Sequence, residues 1–316
     1  MTAFLHVLDL TAPLFLLVLV GFGLARFAGW PRSASEALTR FVFSVAVPTL
    51  LFRLMSDFSR LPRVDARLLV AYFGGCAIVY LMGRALARAM FRMDGVSQSV
   101  FAMGGIFSNN VLLGVPLARV TLGESAMPAV SLILIFNSLV LWTLVTASVE
   151  WARDRELSLP ALARTVMRVM LNPVVAGILL GTAFGFSGIT LPAALDRTLA
   201  LISEAAVPLS LIALGMGLAE FRAREGWRET SVMTLVKLVA HPFAVYLLAR
   251  LLRLPDLETT AIVVMAALPV GANVYLMSRH FGVLGGPVAS ATVVTTALAA
   301  ATTPVVLALL GAANPR

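Results

Sequence analysis

Apolar residues along this chain gather into long runs, punctuated by short clusters of Arg, Asp, Glu, Gly and Pro. A helix crossing a bilayer needs about 20 apolar residues, because each adds 1.5 Å against a hydrocarbon core of roughly 30 Å. Ten runs reach that length: 4–25, 37–56, 66–88, 97–119, 127–149, 163–186, 193–219, 230–252, 257–279 and 287–310. In lipid only structures that satisfy their own backbone are viable, so the pattern predicts an all-α polytopic membrane protein with ten transmembrane helices. No basic residue precedes the first run, and its first positive charge, Arg26, follows it, so it reads as a retained helix rather than a signal peptide.

Composition agrees. Of 316 residues, 59% are apolar and 13% charged, against roughly 45–50% and about 25% in soluble domains. A mean hydropathy of +0.94 leaves too little polar surface to cover a soluble fold. The net charge of +8 does not imply nucleic acid, because all but one of the 24 basic residues are Arg scattered between the apolar runs. With the N-terminus outside, fourteen Arg fall on inner loops and nine on outer ones, which predicts both termini outside a cell membrane. The single cysteine, Cys76, excludes an intramolecular disulfide, and His6, His241 and His280 have no metal-ligand spacing. No cofactor or metal is expected.

The chain also repeats itself. Pro13 and Pro173 lie 160 residues apart, as do Gly21 and Gly181; the string AVP at 46–48 recurs at 206–208; Pro128 and Pro287 differ by 159. Chance coincidence is the competing reading, and a constant offset at four markers weighs against it. Five helices per unit is an odd number, so the second copy enters the membrane inverted. The expected units are 1–150, a cytoplasmic linker at 151–160, and 161–316. Inverted repeats characterise secondary transporters, whose halves rock about a site near the midplane.

Two runs look interrupted at corresponding places. Run four holds Ser108-Asn109-Asn110-Val111-Leu112-Leu113-Gly114-Val115-Pro116, and run nine holds Ala267-Leu268-Pro269-Val270-Gly271-Ala272-Asn273. Proline removes a backbone donor, glycine relaxes the chain, and Asn can bond the groups set free. Gly114, Pro116, Pro269 and Gly271 are therefore the expected helix breaks. A broken helix turns the N-terminal end of its second half toward a cavity, and that end carries roughly half a positive charge. Asn109, Asn110 and Asn273 add donors without negative charge, which suits a carboxylate. The competing reading is that these amides only satisfy kinked backbone.

These motifs resemble the auxin efflux carrier family, which includes plant auxin carriers and bacterial permeases described as malonate or organic-acid transporters. The resemblance extends over nearly the whole chain: VAVPTLLF at 45–52, SNNVLLGVP at 108–116, NPVVAGILLG at 172–181, VPLSLIALGM at 207–216 and ALPVGAN at 267–273. It implies two inverted sets of five helices, with helices four and nine crossing at their breaks, similar to bile-acid symporters and sodium/proton antiporters. It also implies a substrate contact at the Asn seven residues before the run-four proline, Asn109 here. The long hydrophilic loop of the plant members is absent.

Charged residues inside a membrane are functional hypotheses. Glu204 in run seven, with Lys237 and His241 in run eight, reads either as a relay for protons or substrate or as buried structural charge. Their levels differ by roughly 10 Å at 1.5 Å per residue. Gly177, Gly181 and Gly185 share one face of run six; intrachain packing explains them, and a homodimer interface is the second reading. No Walker A, HExxH or GxSxG string occurs, so neither ATP-driven pumping nor catalysis through those motifs is expected. The expected function is secondary or potential-driven transport of small organic anions by alternating access, with H+ or Na+ as candidate coupling ions. The alternatives are a sodium-coupled symporter of the bile-acid type and a membrane sensor or enzyme that moves nothing.

Overall fold

A computed structural model describes residues 2–56, 65–154, 167, 171, 173–219 and 226–311. The linker residues 155–160 and most of 161–172 lie outside the described residues. The elements in order are α1 (Thr2–Arg26), α2 (Arg32–Ser56), α3 (Arg67–Phe91), α4 (Gly95–Ile106), α5 (Asn110–Leu122), α6 (Met127–Asp154), α7 (Pro173–Ser187), α8 (Ala193–Leu218), α9 (Trp227–Leu251), α10 (Asp256–Ala267), α11 (Ala272–Phe281) and α12 (Gly285–Leu309). Strands are absent among the described residues. Five helices, α2, α3, α8, α9 and α12, are long and apolar enough to cross a membrane. Large apolar side chains such as Leu19, Leu81, Leu201 and Leu247 stand exposed on their outer faces, as lipid contact requires. The protein is a polytopic, helical membrane protein.

Proline shapes these helices through a recurring device. Pyrrolidine lacks an N–H and its ring collides with the carbonyl four residues earlier. Pro48, Pro116 and Pro242 are each preceded by one wider π-helical turn, at Val42–Ala46, Asn110–Gly114 and Val236–Ala240. The wider turn moves that carbonyl out of the ring's way, so each helix continues through its proline.

Run four therefore breaks somewhere other than expected. Gly114 and Pro116 lie inside helical α5, and the chain leaves helical geometry earlier, at Phe107–Asn109. Gly114 has a different job: a Cβ there would come 2.7 Å from Leu268 Cδ1, so its bareness admits run nine. Run nine leaves helical geometry between α10 and α11. Leu268 is extended, the geometry favoured before a proline, Pro269 lies in the gap, and Gly271 precedes the first turn of α11.

Two helix pairs cross at backbone contact distance. Gly21 of α1 faces the Ile212 carbonyl of α8, and Gly215 of α8 faces the Val18 carbonyl of α1; a Cβ at either would overlap those atoms. On α7, Gly177, Gly181 and Gly185 face the Pro48, Phe52 and Ser56 carbonyls of α2. The glycine face of run six is thus occupied within the chain. Between α2 and α8 the Arg53 guanidinium donates to Asp196 Oδ1 at 3.0 Å. Asp94 caps α4 by accepting from the Ser97 N–H at 2.7 Å, whereas Glu258 accepts the Asp65 N–H at 2.9 Å and so ties α10 to the start of α3.

Gly21→Leu and Gly181→Leu should each cost about 1–3 kcal/mol by forcing packed backbones apart, seen as a lower Tm of the detergent-purified protein. Gly23→Ala, where a Cβ meets nothing within 4 Å, should leave the Tm unchanged or raise it.

Candidate functional site

The site begins with unsatisfied backbone. Where α4 stops at Ile106 and α10 stops at Ala267, each chain runs extended for a few residues before helix resumes. The two extended pieces pair with each other, antiparallel, through a single bridge between Ser108 and Val270. The Asn109 N–H donates to the Pro269 carbonyl at 2.9 Å, and the Gly271 N–H donates to the Phe107 carbonyl at 2.8 Å. Val270 N–H reaches Thr295 Oγ1 of α12 at 3.0 Å. A Cβ on Gly271 would lie 2.8 Å from the Ser108 carbonyl, so glycine is what lets the strands approach.

A cavity of about 340 Å³ opens against this crossing. Both second half-helices begin there. Val111 and Leu112, in the first turn of α5, and Ala272 and Asn273, in the first turn of α11, all line it. First-turn amides have no carbonyl partner inside their own helix, and the aligned peptides add partial positive charge at the same end. Four asparagines join them: Asn109, Asn110 and Asn273 from the breaks, and Asn137 from α6. Asn109, Asn110 and Asn137 are buried, and Asn109 Nδ2, Asn110 Oδ1 and Asn137 Oδ1 make no hydrogen bond within the protein. The remaining described lining is Thr39, Ser108 and apolar side chains, and no charged residue lines the cavity among the described residues. Chemically the cavity offers neutral dipoles: one unpaired amide donor, Asn109 Nδ2, and two unpaired acceptors, Asn110 Oδ1 and Asn137 Oδ1, beside the positive ends of two helices, which favour an anion.

The structure thus brings together Asn109, Asn110, Asn273 and Gly271 at one cavity, with Pro269 hydrogen-bonded beside them. Gly114 and Pro116 pack behind it rather than in it. Asn137 escaped the sequence reading, although a lone amide within the apolar string IFNSLVL at 135–141 is itself a signal.

Lys237 and His241 lie on the far side of the crossing, both fully buried. Lys237 Nζ donates to the Ala266 carbonyl at 2.6 Å and lies 3.3 Å from His241 Nδ1. His241 Nε2 lies 3.3 Å from Cys76 Sγ. Tyr72 packs edge-on against the His241 ring, and its hydroxyl accepts from Asn110 Nδ2 at 3.5 Å. Glu204 takes no part in these contacts; its side chain is exposed on α8.

A family model described as membrane transport protein matches residues 6–307. The chain is 27% identical over 309 residues to a Rhizobium meliloti protein named "Putative malonate transporter", covering 96% of each chain. It is 23% identical over 276 residues to an uncharacterized transporter of Methanocaldococcus jannaschii, covering 83% of this chain and 85% of the other. Two interrupted helices that share their free backbone groups, and a family match across almost the full length, lead to one statement: this chain is a membrane transporter and belongs to the membrane transport protein family, that of the auxin efflux carriers.

Proposed function

We propose that the protein is a carrier of small carboxylates that works by alternating access around the crossing of its two broken helices. The observation that carries this reading is the convergence of two helix N-termini and four asparagine side chains on one cavity, with no acidic lining residue among those described. An anion there would accept from first-turn amides of α5 and α11, and each such bond to a charged group is worth about 1.5–3 kcal/mol. A relative named for malonate points to the same class of solute.

The ten-span inverted repeat belongs to this proposal. Its support is a set of contacts related by nearly constant offsets. Gly21 and Gly181 are 160 apart, and so are the residues whose carbonyls they touch, Phe52 and Ile212. Adding 162 to one strand of the crossing turns Phe107 into Pro269 and Asn109 into Gly271, which interchanges its two hydrogen bonds. Repeat units at 1–150 and 161–316 would rock about that axis and expose the cavity to each side in turn. With both termini outside the cell membrane, as the Arg distribution favours, Thr39 and the exposed Leu276 lie on the cytoplasmic side of the cavity, an inward-facing state. Export of a monovalent anion then gains about 2.3 kcal/mol per 100 mV of interior-negative potential, whereas uptake needs another gradient.

The test is flux in proteoliposomes against malonate and a panel of mono- and dicarboxylates. Malonate movement is expected, and Asn109→Ala or Asn273→Ala should slow it about tenfold to a hundredfold, the equivalent of one lost hydrogen bond to a charged ligand. Asn109→Asp should slow it further than Asn109→Ala, because it places negative charge at the anion's position. Sodium-dependent flux would redirect the reading to a symporter, and absence of any carboxylate flux would remove it. Asn137→Ala, measured the same way, should change KM for the solute with the protein's Tm little changed, because Asn137 lines the cavity and its Oδ1, an acceptor, makes no hydrogen bond within the fold.

A further inference from the structure

Broken helices leave two kinds of ends in the membrane. The N-terminal ends face the cavity; the C-terminal ends, with unpaired carbonyls and partial negative charge, must be dealt with elsewhere. The two C-terminal ends here are treated differently. At the end of α4 the backbone caps itself, with the Phe107 N–H donating to the Met103 carbonyl at 2.8 Å. At the end of α10 no such cap forms at Leu268. Pro269 has no N–H to give, and the Val270 N–H is spent on Thr295. The sole lysine of the chain reaches this end instead, its Nζ 2.6 Å from the Ala266 carbonyl.

The surroundings of that lysine are matched to a cation. With a charged ammonium donating, His241 Nδ1, 3.3 Å from Nζ, is the acceptor, which leaves the ring proton for Nε2, 3.3 Å from Cys76 Sγ. From α9 itself the facing group is His241, from α3 they are Cys76 and Tyr72, and from α10 the Ala266 carbonyl. Among the described residues no carboxylate forms an ion pair with Lys237. Its charge is thus answered by a helix end and not by an acid. In transporters with broken helices, half-helix C-terminal ends and unwound carbonyls are where a coupling cation binds.

We propose that Lys237 is a fixed internal counter-cation: it occupies the carbonyl end of α10, the place a transported cation would otherwise take, so that the protein moves its anion without any alkali cation. This deepens the carrier reading and rests on it for the word anion. Lys237 is a positioning residue: through His241, Tyr72 and Asn110 it steadies the rim of the cavity without touching the solute.

The full-length protein in proteoliposomes loaded with malonate gives one readout, with external NaCl compared with N-methylglucamine chloride. Wild type is expected to run equally in both. Lys237→Arg keeps the cation and should retain flux that is still indifferent to sodium. Lys237→Met should lose about tenfold or more in sodium-free buffer and recover part of that loss in NaCl. A Lys237→Met variant running at the wild-type rate without sodium, or wild type that requires sodium, overturns the proposal. The second readout is Tm in detergent, which does not depend on any substrate. Sodium should stabilise Lys237→Met and leave wild type and Lys237→Arg unchanged; a sodium shift in wild type, or none in Lys237→Met, overturns it even if no carboxylate is carried. If Lys237→Met does not fold while Lys237→Arg does, the requirement for a cation at Ala266 stands, and wild type decides the sodium question alone. If no carboxylate moves but the melting pattern holds, the carrier reading fails and the counter-cation remains.

Discussion

Backbone amides and carbonyls in the middle of a bilayer have no water to turn to, and everything distinctive about this protein follows from how two interrupted helices meet that constraint. Phe107–Asn109 and Leu268–Gly271 are extended where lipid would forbid it, and they satisfy each other through two reciprocal hydrogen bonds. The pairing holds four half-helices at one point. It also fixes their polarity, since each chain must re-enter helix on leaving the bridge. Residues whose local chemistry looks unfavourable in an apolar span, Pro269 and Gly271 above all, are required by this arrangement: the proline has no N–H to satisfy, and the glycine has no side chain to keep the partner strand away.

Polarity is then sorted in space. The beginnings of α5 and α11 gather at the cavity, with asparagine amides whose remaining hydrogen-bonding capacity stays within it. The end of α10 turns toward a buried ammonium. On the proposed reading a site for negative charge and a seat for positive charge lie on opposite sides of one crossing, joined by Asn110, Tyr72 and His241. Among the described residues neither side uses an acidic one. The field is made from peptide dipoles and one lysine, which need no counter-charge to be removed when the guest departs.

Much of this could be read from the residues alone, for identifiable reasons. Helix positions follow from the length of apolar runs, a signal summed over twenty residues and so hard to mistake; α3, α8, α9 and α12 fall where the runs put them. The run-nine break follows from Pro269 and Gly271, because nothing upstream compensates for the missing donor. The run-four break does not follow from Gly114 and Pro116, because a π-turn at Asn110–Gly114 absorbs that proline, and such a turn leaves no mark in composition. Asn109, Asn110 and Asn273 were legible as polar groups at a discontinuity. Asn137 was not, lying in an unbroken helix; only tertiary structure brings it to the cavity. The link from Lys237 to Ala266 is likewise invisible in sequence, where 29 residues and a loop separate them.

The close crossing of α1 with α8 bears on how the chain is made. The carbonyl that Gly21 nestles against belongs to Ile212, so α1 finds its tightest neighbour only after some 190 more residues are synthesised, roughly ten to forty seconds at usual elongation rates. Throughout that interval α1 has a bare glycine notch turned to lipid. Release from the insertion machinery, more than any local helical preference, would then govern how faithfully newborn copies reach their mature packing.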